Sequence, residues 1–351
     1  MYLIEPIRNG EWIYNQGLLM AIQSYARDHL FLDDDIVFPY MPKPSVQIGL
    51  FQNAYEEVNL PFLEEHNMDL VRRETGGGAI YLDDKNMSFC FLLDSENHSD
   101  IFGNYAKLYE PVIRALEKLG VKNIEQKGRN DLTLNGQKIS GAAMTIVHGR
   151  IYAGYSLLLD PDFETMEAVL TPNYKKISSH GIKSVRARVG SLRQALREED
   201  QNIDVWELTD YLLRELLQVD DLEQAKRYVL SEKDWKAIDE IAAKTYNNWD
   251  WNYGRFKNFD YQVNERIEGV GTLHIGLSIQ NAKIYDIQIS GDFFSIKSIQ
   301  ELEELLRDTR LKQSDLLAVL ENIDLSSYIS RLDNETFINL LLNIPKEENC
   351  D

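Results

Sequence analysis

The chain has few cysteines and no histidine pattern typical of a metal site. Its 351 residues include two cysteines and six scattered histidines. Cys90 lies in the apolar run MSFCFLL, which is typical of a buried thiol, and Cys350 lies in the polar segment KEENCD. Neither the number nor the spacing of the cysteines fits a zinc site or a disulfide framework.

Positive charge and long apolar runs are also scarce. Lysine and arginine number 37 against 57 acidic residues, which gives a net charge of −20 and argues against a general nucleic-acid-binding protein. No apolar run approaches the roughly 20 residues of a membrane-spanning helix. The N-terminal MYLIEPIRNGEW lacks the basic and apolar regions of a signal peptide. We therefore expect a cytoplasmic protein that binds neither nucleic acid nor membrane, and we expect a monomer.

The order of helical and strand patterns indicates two domains. A chain of 351 residues exceeds the usual size of a single core. The first half mixes helices with largely antiparallel strands, with one hairpin predicted at DKN, between AIYLD and MSFCFLL, and another at Asn135-Gly136. Helical patterns follow, and the aperiodic NNWDWNYGRF then precedes three strands and further helices. We expect an α+β protein with domains at residues 1–246 and 247–351.

The segment RRETGGGAIY, residues 72–81, is the first candidate for a binding site. Backbone N–H groups of a glycine turn bind phosphate or carboxylate oxygens, and arginine binds the same groups bidentately. A tight turn between two strands would explain the glycines equally well. The pattern is neither a P-loop, since no Lys-Ser/Thr follows, nor a dinucleotide fingerprint, since a strand follows.

The segment GRNDLTLNGQKISG, residues 128–141, is the second candidate. Asn130 and Asp131 carry oxygen ligands that suit Mg²⁺ bound together with substrate phosphates, although both residue types also form turns. Lys138 lies on the returning strand of the predicted hairpin, where neighbouring glycines and a serine leave room for a ligand. An ordinary solvated surface lysine is the alternative interpretation.

The third candidate is a basic segment that begins at Pro172 and reads PNYKKISSHGIKSVRAR. It contains five lysines or arginines and no acidic residue, and its lack of periodicity predicts a loop. Such a loop is either a solvated mobile surface or a lid that folds over a polyanion and supplies positive charge.

These segments, in this order, resemble the motifs of the lipoate–protein ligase A family. The resemblance is carried by RRETGGGAIY, GRNDL, KISG, HGIKSVRARV and WDWNYG, and it extends over nearly the whole chain. It implies a biotin/lipoate-ligase-type mixed β-sheet domain with flanking helices, plus a small C-terminal α+β domain. It also implies that lipoate and Mg²⁺-ATP give lipoyl-AMP and pyrophosphate. The lipoyl group then passes to a lysine on an acceptor domain of a 2-oxoacid dehydrogenase E2 subunit or a glycine-cleavage H protein.

The resemblance further implies roles for individual residues. Lys138 matches the catalytic lysine, which touches both the lipoate carboxyl group and the adenylate. Asn130 and Asp131 match the polar pair near the phosphates and Mg²⁺, and residues 172–189 match the adenylate-binding loop. The ATP- and adenylate-binding set is Arg73, Gly78, Ala79, Ile80, Tyr81, Lys138, Lys183 and Arg186. The lipoate-binding set is Gly76, Gly77, Gly78 and Lys138.

Two departures from the family pattern leave other functions open. Leu82-Asp83 stands where the family often has His-Asp, and YAGYSLLL stands where it often has a His-Gly-Thr strand. A lipoyl or octanoyl transferase of the same fold would need a cysteine thiolate, and neither cysteine is well placed for that role. A binding protein that has lost activity is a further alternative, against which the presence of Lys138 and Asp131 argues.

Overall fold

The computed structural model describes residues 1–170, 185–254, 257 and 259–342. The strands in these ranges are β1 Tyr2–Leu3, β2 Ile7–Arg8, β3 Glu11–Trp12, β4 Ile36–Tyr40, β5 Ser45–Ile48, β6 Asp69–Arg72, β7 Ile80–Leu82, β8 Met87–Asp94, β9 Ile124–Lys127, β10 Asp131–Leu134, β11 Gln137–Val147, β12 Arg150–Leu157, β13 Tyr261–Ile267, β14 Gly271–Gln280 and β15 Lys283–Gly291.

The α-helices in the same ranges are α1 Gln16–His29, α2 Ala54–Glu57, α3 Leu60–Glu65, α4 Tyr105–Lys118, α5 Phe163–Val169, α6 Val185–Arg188, α7 Val205–Leu217, α8 Glu232–Ile241, α9 Trp249–Tyr253, α10 Ile299–Leu306, α11 Gln313–Leu320 and α12 Asn334–Leu342. Short 3₁₀ turns lie at Arg193–Ala195, Glu198–Asp200, Leu222–Gln224 and Leu325–Ser327, and a π-helical turn, Ala242–Tyr246, extends α8. Among the helices of the described ranges, none is long and apolar enough to cross a membrane.

A seven-stranded mixed sheet forms the centre of the first domain. Its order is β1-β4-β8-β12-β11-β10-β9, and every pair is antiparallel except the parallel pair β1–β4. Helices α4 and α7 contribute to the core on one face, and α1 and α8 contribute to the core on the other. Because both faces are covered, the central strand β8 is buried from Met87 to Leu93, which explains its continuous apolar sequence.

The glycine-rich segment belongs to a second, three-stranded sheet of order β6-β5-β7. The predicted hairpin between AIYLD and MSFCFLL is wrong, because β7 pairs with β5 whereas β8 pairs with β4 and β12. The side chain of Asp83 accepts hydrogen bonds from the Lys85 N–H and from Asn86 Nδ2, and this local turn carries the chain from one sheet to the other. The small sheet therefore sits beside the large one, with the glycines at their junction.

The predicted hairpin at Asn135-Gly136 is confirmed. Asn135 and Gly136 have φ values of 50° and 81°, as a two-residue turn between β10 and β11 requires. His148 and Gly149 form a second such turn, with φ values of 51° and 73°, between β11 and β12. Strand β11 thus takes part in both hairpins and connects Lys138 to the centre of the sheet.

The C-terminal region has a sheet and a core of its own. The three strands predicted here are β13, β14 and β15, which pair as an antiparallel sheet, and α10, α11 and α12 contribute the remaining side chains of its core. The segment after β15 approaches the first domain, where the Phe293 ring stacks on Phe51 with centroids 4.6 Å apart. This α+β architecture agrees with the fold class expected from the sequence.

Candidate active site

A cavity of about 110 Å³ lies where the two sheets of the first domain meet. Its wall includes residues from α1, β4, β5, β8, β11 and β12, together with the chain between β6 and β7. Seven of the residues predicted from the sequence line this cavity: Arg73, Gly77, Gly78, Ala79, Ile80, Asn130 and Lys138. The fold therefore brings the glycine turn (residues 75–78) and the lysine hairpin (residues 130–141) to one site.

Arg73 is a buried cation whose protein partners are neutral. Its guanidinium donates to the carbonyls of Gly76 at 2.8 Å and Gly78 at 2.9 Å, and to Thr75 Oγ1 at 3.2 Å. Burial lowers the pKa of Arg73 to about 10, and no carboxylate of the described residues contributes to raising it. A buried positive charge that lines a cavity without an anionic protein partner favours an anionic ligand.

Arg72, in contrast, has a structural role. Its side chain is fully buried and donates to five backbone carbonyls at 2.6–3.1 Å. The acceptors are Gly49, Leu50, Gln52, Trp251 and Asn252. The indole of Trp251 returns a hydrogen bond to the Arg72 carbonyl at 2.9 Å. The WDWNYG segment is thus fastened to the end of β6, directly before the glycine turn.

The three glycines differ in what an added side chain would meet. A Cβ on Gly76 would overlap the Phe293 carbonyl of the C-terminal region. Gly77 has a φ of +95°, and a Cβ there would lie 3.0 Å from Arg73 Nη2. A Cβ on Gly78 would meet no protein atom within 4 Å, so the fold alone does not require a glycine at this position.

The lysine hairpin brings Lys138 to the cavity wall, paired with an aspartate behind it. Lys138 Nζ lies 2.7 Å from Asp131 Oδ1, and the two side chains are 38% and 39% exposed. The ammonium group packs over Gly141, where a Cβ would come within 2.9 Å of it. This glycine supplies the space beside Lys138 that the sequence predicted. The Gly190 N–H also donates to the Lys138 carbonyl at 2.8 Å, so the chain that follows the basic segment is bonded to the hairpin backbone.

Asn130 is held by the hairpin itself. Its Nδ2 donates to the Ala142 carbonyl at 2.5 Å, and its own carbonyl accepts from Tyr109 Oη at 3.1 Å. Within the part of the chain that the structure describes, no group of three or more His, Cys, Asp or Glu side chains could hold a metal ion. A magnesium ion here would need substrate oxygens in addition to these side chains.

The basic segment is only partly described. Residues 171–184, which include Lys183, lie outside the described residues, and so does the side chain of Arg186. The last four residues before Val189 form helix α6, Val185–Arg188, where the sequence predicted a loop. This stretch contains neither glycine nor proline, so nothing in it opposes a helical turn. The predicted lid therefore stays a prediction.

The cavity wall also contains polar residues that the sequence did not indicate. They are Gln23, Tyr40, Gln47, Cys90, Tyr152, Tyr155 and Ser156. Gln16, Met20 and Gln23 recur at helical spacing on the buried side of α1, and two amides on an apolar helix face were a signal for a site. Conversely, Gly76, Tyr81 and Asp131 do not line the cavity, although each was predicted as a ligand contact.

Cys90 is buried as predicted, but it also faces the cavity. Burial raises the pKa of its thiol well above the ordinary range, while Arg27 and Arg150 lower it only in part. A thiol held protonated is a poor nucleophile, because the thiolate is the reactive form. This environment argues against an acyl transferase that works through Cys90.

Two sequence families match the chain. The family described as "Lipoyl protein ligase A/B catalytic domain" matches residues 17–217, and that described as "Bacterial lipoate protein ligase C-terminus" matches residues 257–341. The chain is 47% identical to lipoate–protein ligase 2 of Staphylococcus aureus strain Mu50, over 98% of this chain and 100% of that protein. The chain belongs to the lipoate–protein ligase family. A lipoate–protein ligase of Streptococcus pyogenes serotype M5 is 48% identical over the same shares of both chains.

Solved structures of ligases share this fold. P. falciparum LipL1 in complex with lipoate matches with a TM-score of 0.76, 21% identity, and coverage of 97% of this chain and 98% of that chain. A lipoate–protein ligase A bound with ATP gives a TM-score of 0.58 at 25% identity, with coverage of 72% and 98%. A bipartite ligase of Thermoplasma acidophilum, described together with its E2 lipoyl domain, gives 0.61 at 25% identity, with coverage of 74% and 98%. The expected fold class is confirmed.

The two departures from the family pattern that the sequence suggested lie in the core and in the cavity wall. Leu82, where the resemblance implies a histidine, is 2% exposed and belongs to the core that includes α1 and α8. Ala153 and Gly154 line the cavity, and a Cβ on Gly154 would lie 2.8 Å from the Phe89 carbonyl. Neither departure removes Arg73 or Lys138 from the cavity.

Proposed function

We propose that this ligase activates lipoate with ATP and transfers the lipoyl group to an acceptor protein. In the first step a lipoate carboxylate oxygen attacks the α-phosphorus, the bond to the β-phosphate oxygen breaks, and pyrophosphate leaves. In the second step the ε-amine of an acceptor lysine attacks the acyl carbon, loses a proton, and displaces AMP. The products are an amide, AMP and pyrophosphate.

The observation that carries this proposal is the convergence of Arg73 and Lys138 on one cavity, with backbone of the glycine turn between them. Adenylation brings a carboxylate against an α-phosphate, and these two anions repel each other. A lysine that contacts both stabilises the charge that develops between them. Lys138 is 38% exposed and, among the described residues, is paired with one carboxylate, so it can exchange that partner for a substrate.

We assign the remaining roles by position. Arg73 supplies positive potential to the nucleotide, and the chain from Gly78 to Ile80 lies along the adenylate as part of the cavity wall. Gly77 and Lys138 face the lipoate. Gly76 and Tyr81 do not line the cavity, so we propose that they position the neighbouring residues that do. Lys183 and Arg186 remain proposed contacts of the adenylate-binding loop.

Asn130 and Asp131 would hold the magnesium ion that the reaction implies. A single carboxylate and an amide oxygen suit Mg²⁺, which takes its other ligands from phosphates and water. The ion would neutralise phosphate charge. Asp131 Oδ1 also lies 2.7 Å from the Lys138 ammonium.

The acceptor is proposed to be a lipoyl domain of a 2-oxoacid dehydrogenase E2 subunit or a glycine-cleavage H protein. The Thermoplasma ligase described with its E2 lipoyl domain supports the first class. We further propose that residues 1–246 form the catalytic domain and residues 247–351 an accessory domain, consistent with family matches at 17–217 and 257–341. The monomeric state and the cytoplasmic location stay predictions, to be measured by light scattering and cell fractionation.

Pyrophosphate release in the presence of lipoate and Mg²⁺-ATP tests the proposed activity. We expect release that requires both substrates, and a mass increase of one lipoyl group on an added lipoyl domain. An acyl transferase would instead modify the acceptor from an acylated carrier protein without ATP. A binding protein without activity would release no pyrophosphate, and either result would contradict the proposal.

A further inference from the structure

The side chain of Ser156 faces the cavity from strand β12. Neighbouring side chains of a strand point to opposite faces of the sheet. Tyr155 belongs to the core that includes α4 and α7, so Ser156 points to the other face, as Tyr152 does in the core that includes α1 and α8. The cavity lies on this second face, because Met20 of α1 is part of its wall, and Ser156 lines it.

The hydroxyl of Ser156 is available to a ligand. The residue is 8% exposed, and among the described residues no group forms a hydrogen bond with its Oγ. The hydroxyl keeps accessible surface, which the buried and unpaired hydroxyl of Tyr155 lacks. An unpaired polar group that is largely withdrawn from water costs stability, so native structures rarely contain one without a reason. A ligand that enters the cavity can supply the missing partner.

Ser156 lies across the β11–β12 pair from Gly141. The Cα partner of Tyr155 is Ala142, and one further residue along each strand brings Gly141 opposite Ser156. Both residues line the cavity, so they share one face of the sheet. The Cβ positions of two residues directly opposite each other are roughly 5 Å apart.

The Lys138 ammonium occupies the space that a Gly141 side chain would fill. A Cβ built on Gly141 would lie 2.9 Å from Lys138 Nζ. Because Gly141 is opposite Ser156, the ammonium group and the hydroxyl lie side by side at the cavity wall. A cation and a hydroxyl donor placed together complement an anionic oxygen, which can accept a hydrogen bond from each.

We propose that Ser156 is a substrate-contacting residue whose hydroxyl donates a hydrogen bond to the anionic oxygen that Lys138 binds. This inference rests on the proposed function and extends it, because that oxygen belongs to the lipoate carboxyl group or to the α-phosphate of the nucleotide. The hydroxyl gains its partner only when substrate binds. It therefore adds to the affinity for substrate and not to the stability of the free enzyme.

The test is Ser156→Ala, which removes the hydroxyl and leaves the Cβ in place. In calorimetric titrations we expect a non-hydrolysable lipoyl-adenylate analogue to bind about tenfold more weakly, since a hydrogen bond to a charged group is lost. Separate titrations with lipoate and with Mg²⁺-ATP identify the oxygen. Weaker binding of lipoate assigns it to the carboxyl group, and weaker binding of ATP assigns it to the α-phosphate. The melting temperature of the free variant should stay at or above the wild-type value.

Ser45→Ala is the matched control. Ser45 is a buried serine of strand β5 whose hydroxyl has no partner among the described residues, and it does not line the cavity. This variant should bind all three ligands like wild type. A folded Ser156→Ala variant with wild-type affinity for all three would overturn the inference, and so would equal losses in both variants. If the wild-type enzyme bound neither lipoate nor ATP, the proposed function would fall together with this inference, whereas normal wild-type binding confines a negative result to Ser156.

Discussion

The two arginines that precede the glycine turn and the lysine of the hairpin differ in the partners of their positive charges. Arg72 donates to five backbone carbonyls, and Arg73 donates to the carbonyls of Gly76 and Gly78. Lys138, in contrast, makes an ion pair with Asp131, and both side chains of that pair are more than a third exposed. The arginines therefore hold the turn as a rigid scaffold, whereas the Lys138 ammonium can exchange Asp131 for a substrate oxygen.

This difference separates structural from functional contributions to the site. A buried guanidinium bonded to carbonyls cannot be removed without leaving those carbonyls unpaired. A half-exposed ion pair contributes little to folding, because solvent screens it. Substitutions in the turn should therefore affect stability first, and substitutions in the hairpin should affect catalysis first.

The largest expected effect follows Arg72→Ala. Removal of this side chain leaves several buried carbonyls without a donor, and we expect a loss of about 4 kcal/mol or more in the free energy of unfolding. Urea unfolding followed by circular dichroism measures the change. Arg114→Ala, on the exposed side of α4, is the control and should stay within about 0.5 kcal/mol of wild type. An Arg72 variant as stable as the control would contradict the scaffold role.

The next effect concerns Lys138→Ala. We expect kcat/KM for pyrophosphate release to fall by about 10²–10³-fold, which corresponds to about 3–4 kcal/mol of transition-state stabilisation. The unfolding free energy should change by less than about 1 kcal/mol. Lys127→Ala is the matched control, because this lysine lies beside Asp131 on the neighbouring strand and is 63% exposed. Similar kinetic losses in both variants would remove Lys138 from the mechanism.

The sequence indicated the lysine hairpin more completely than the glycine turn. The Asn135-Gly136 turn follows from local backbone preferences, so its position and the placement of Lys138 on a strand were predictable. The separate partners of β7 and β8 were not, because strand pairing across the chain depends on distant residues. The same limit applies to Arg72, whose acceptors at Trp251 and Asn252 lie about 180 residues away along the chain.

Gly77→Ala should cost stability. Its φ of +95° is unfavourable for any residue with a side chain, and the added Cβ would press on Arg73 and Phe294. We expect a loss of about 2 kcal/mol in the unfolding free energy. Thermal melting of the purified variant measures the effect. An unchanged melting temperature would show that the turn accommodates the added Cβ without loss of stability.

Gly78→Ala is the comparison for Gly77→Ala, because it separates ligand binding from stability. No protein atom lies within 4 Å of a Cβ built on Gly78, so the melting temperature should stay close to wild type. If ligand approaches this part of the wall, the methyl group should still weaken binding of an acyl-adenylate analogue by roughly tenfold, or about 1.4 kcal/mol. Unchanged affinity would mean that the ligand does not contact Gly78.

A single-turnover measurement of pyrophosphate tests most directly whether Lys138, rather than the buried arginines, performs the chemistry. Enzyme in excess over lipoate is mixed with Mg²⁺-ATP without an acceptor. The pyrophosphate released is measured in equivalents of the lipoate supplied. Wild type and Lys127→Ala should each release close to one equivalent and retain lipoyl-AMP. Folded Lys138→Ala should release pyrophosphate at least about 100-fold more slowly. Release at the wild-type rate from folded Lys138→Ala would contradict the account.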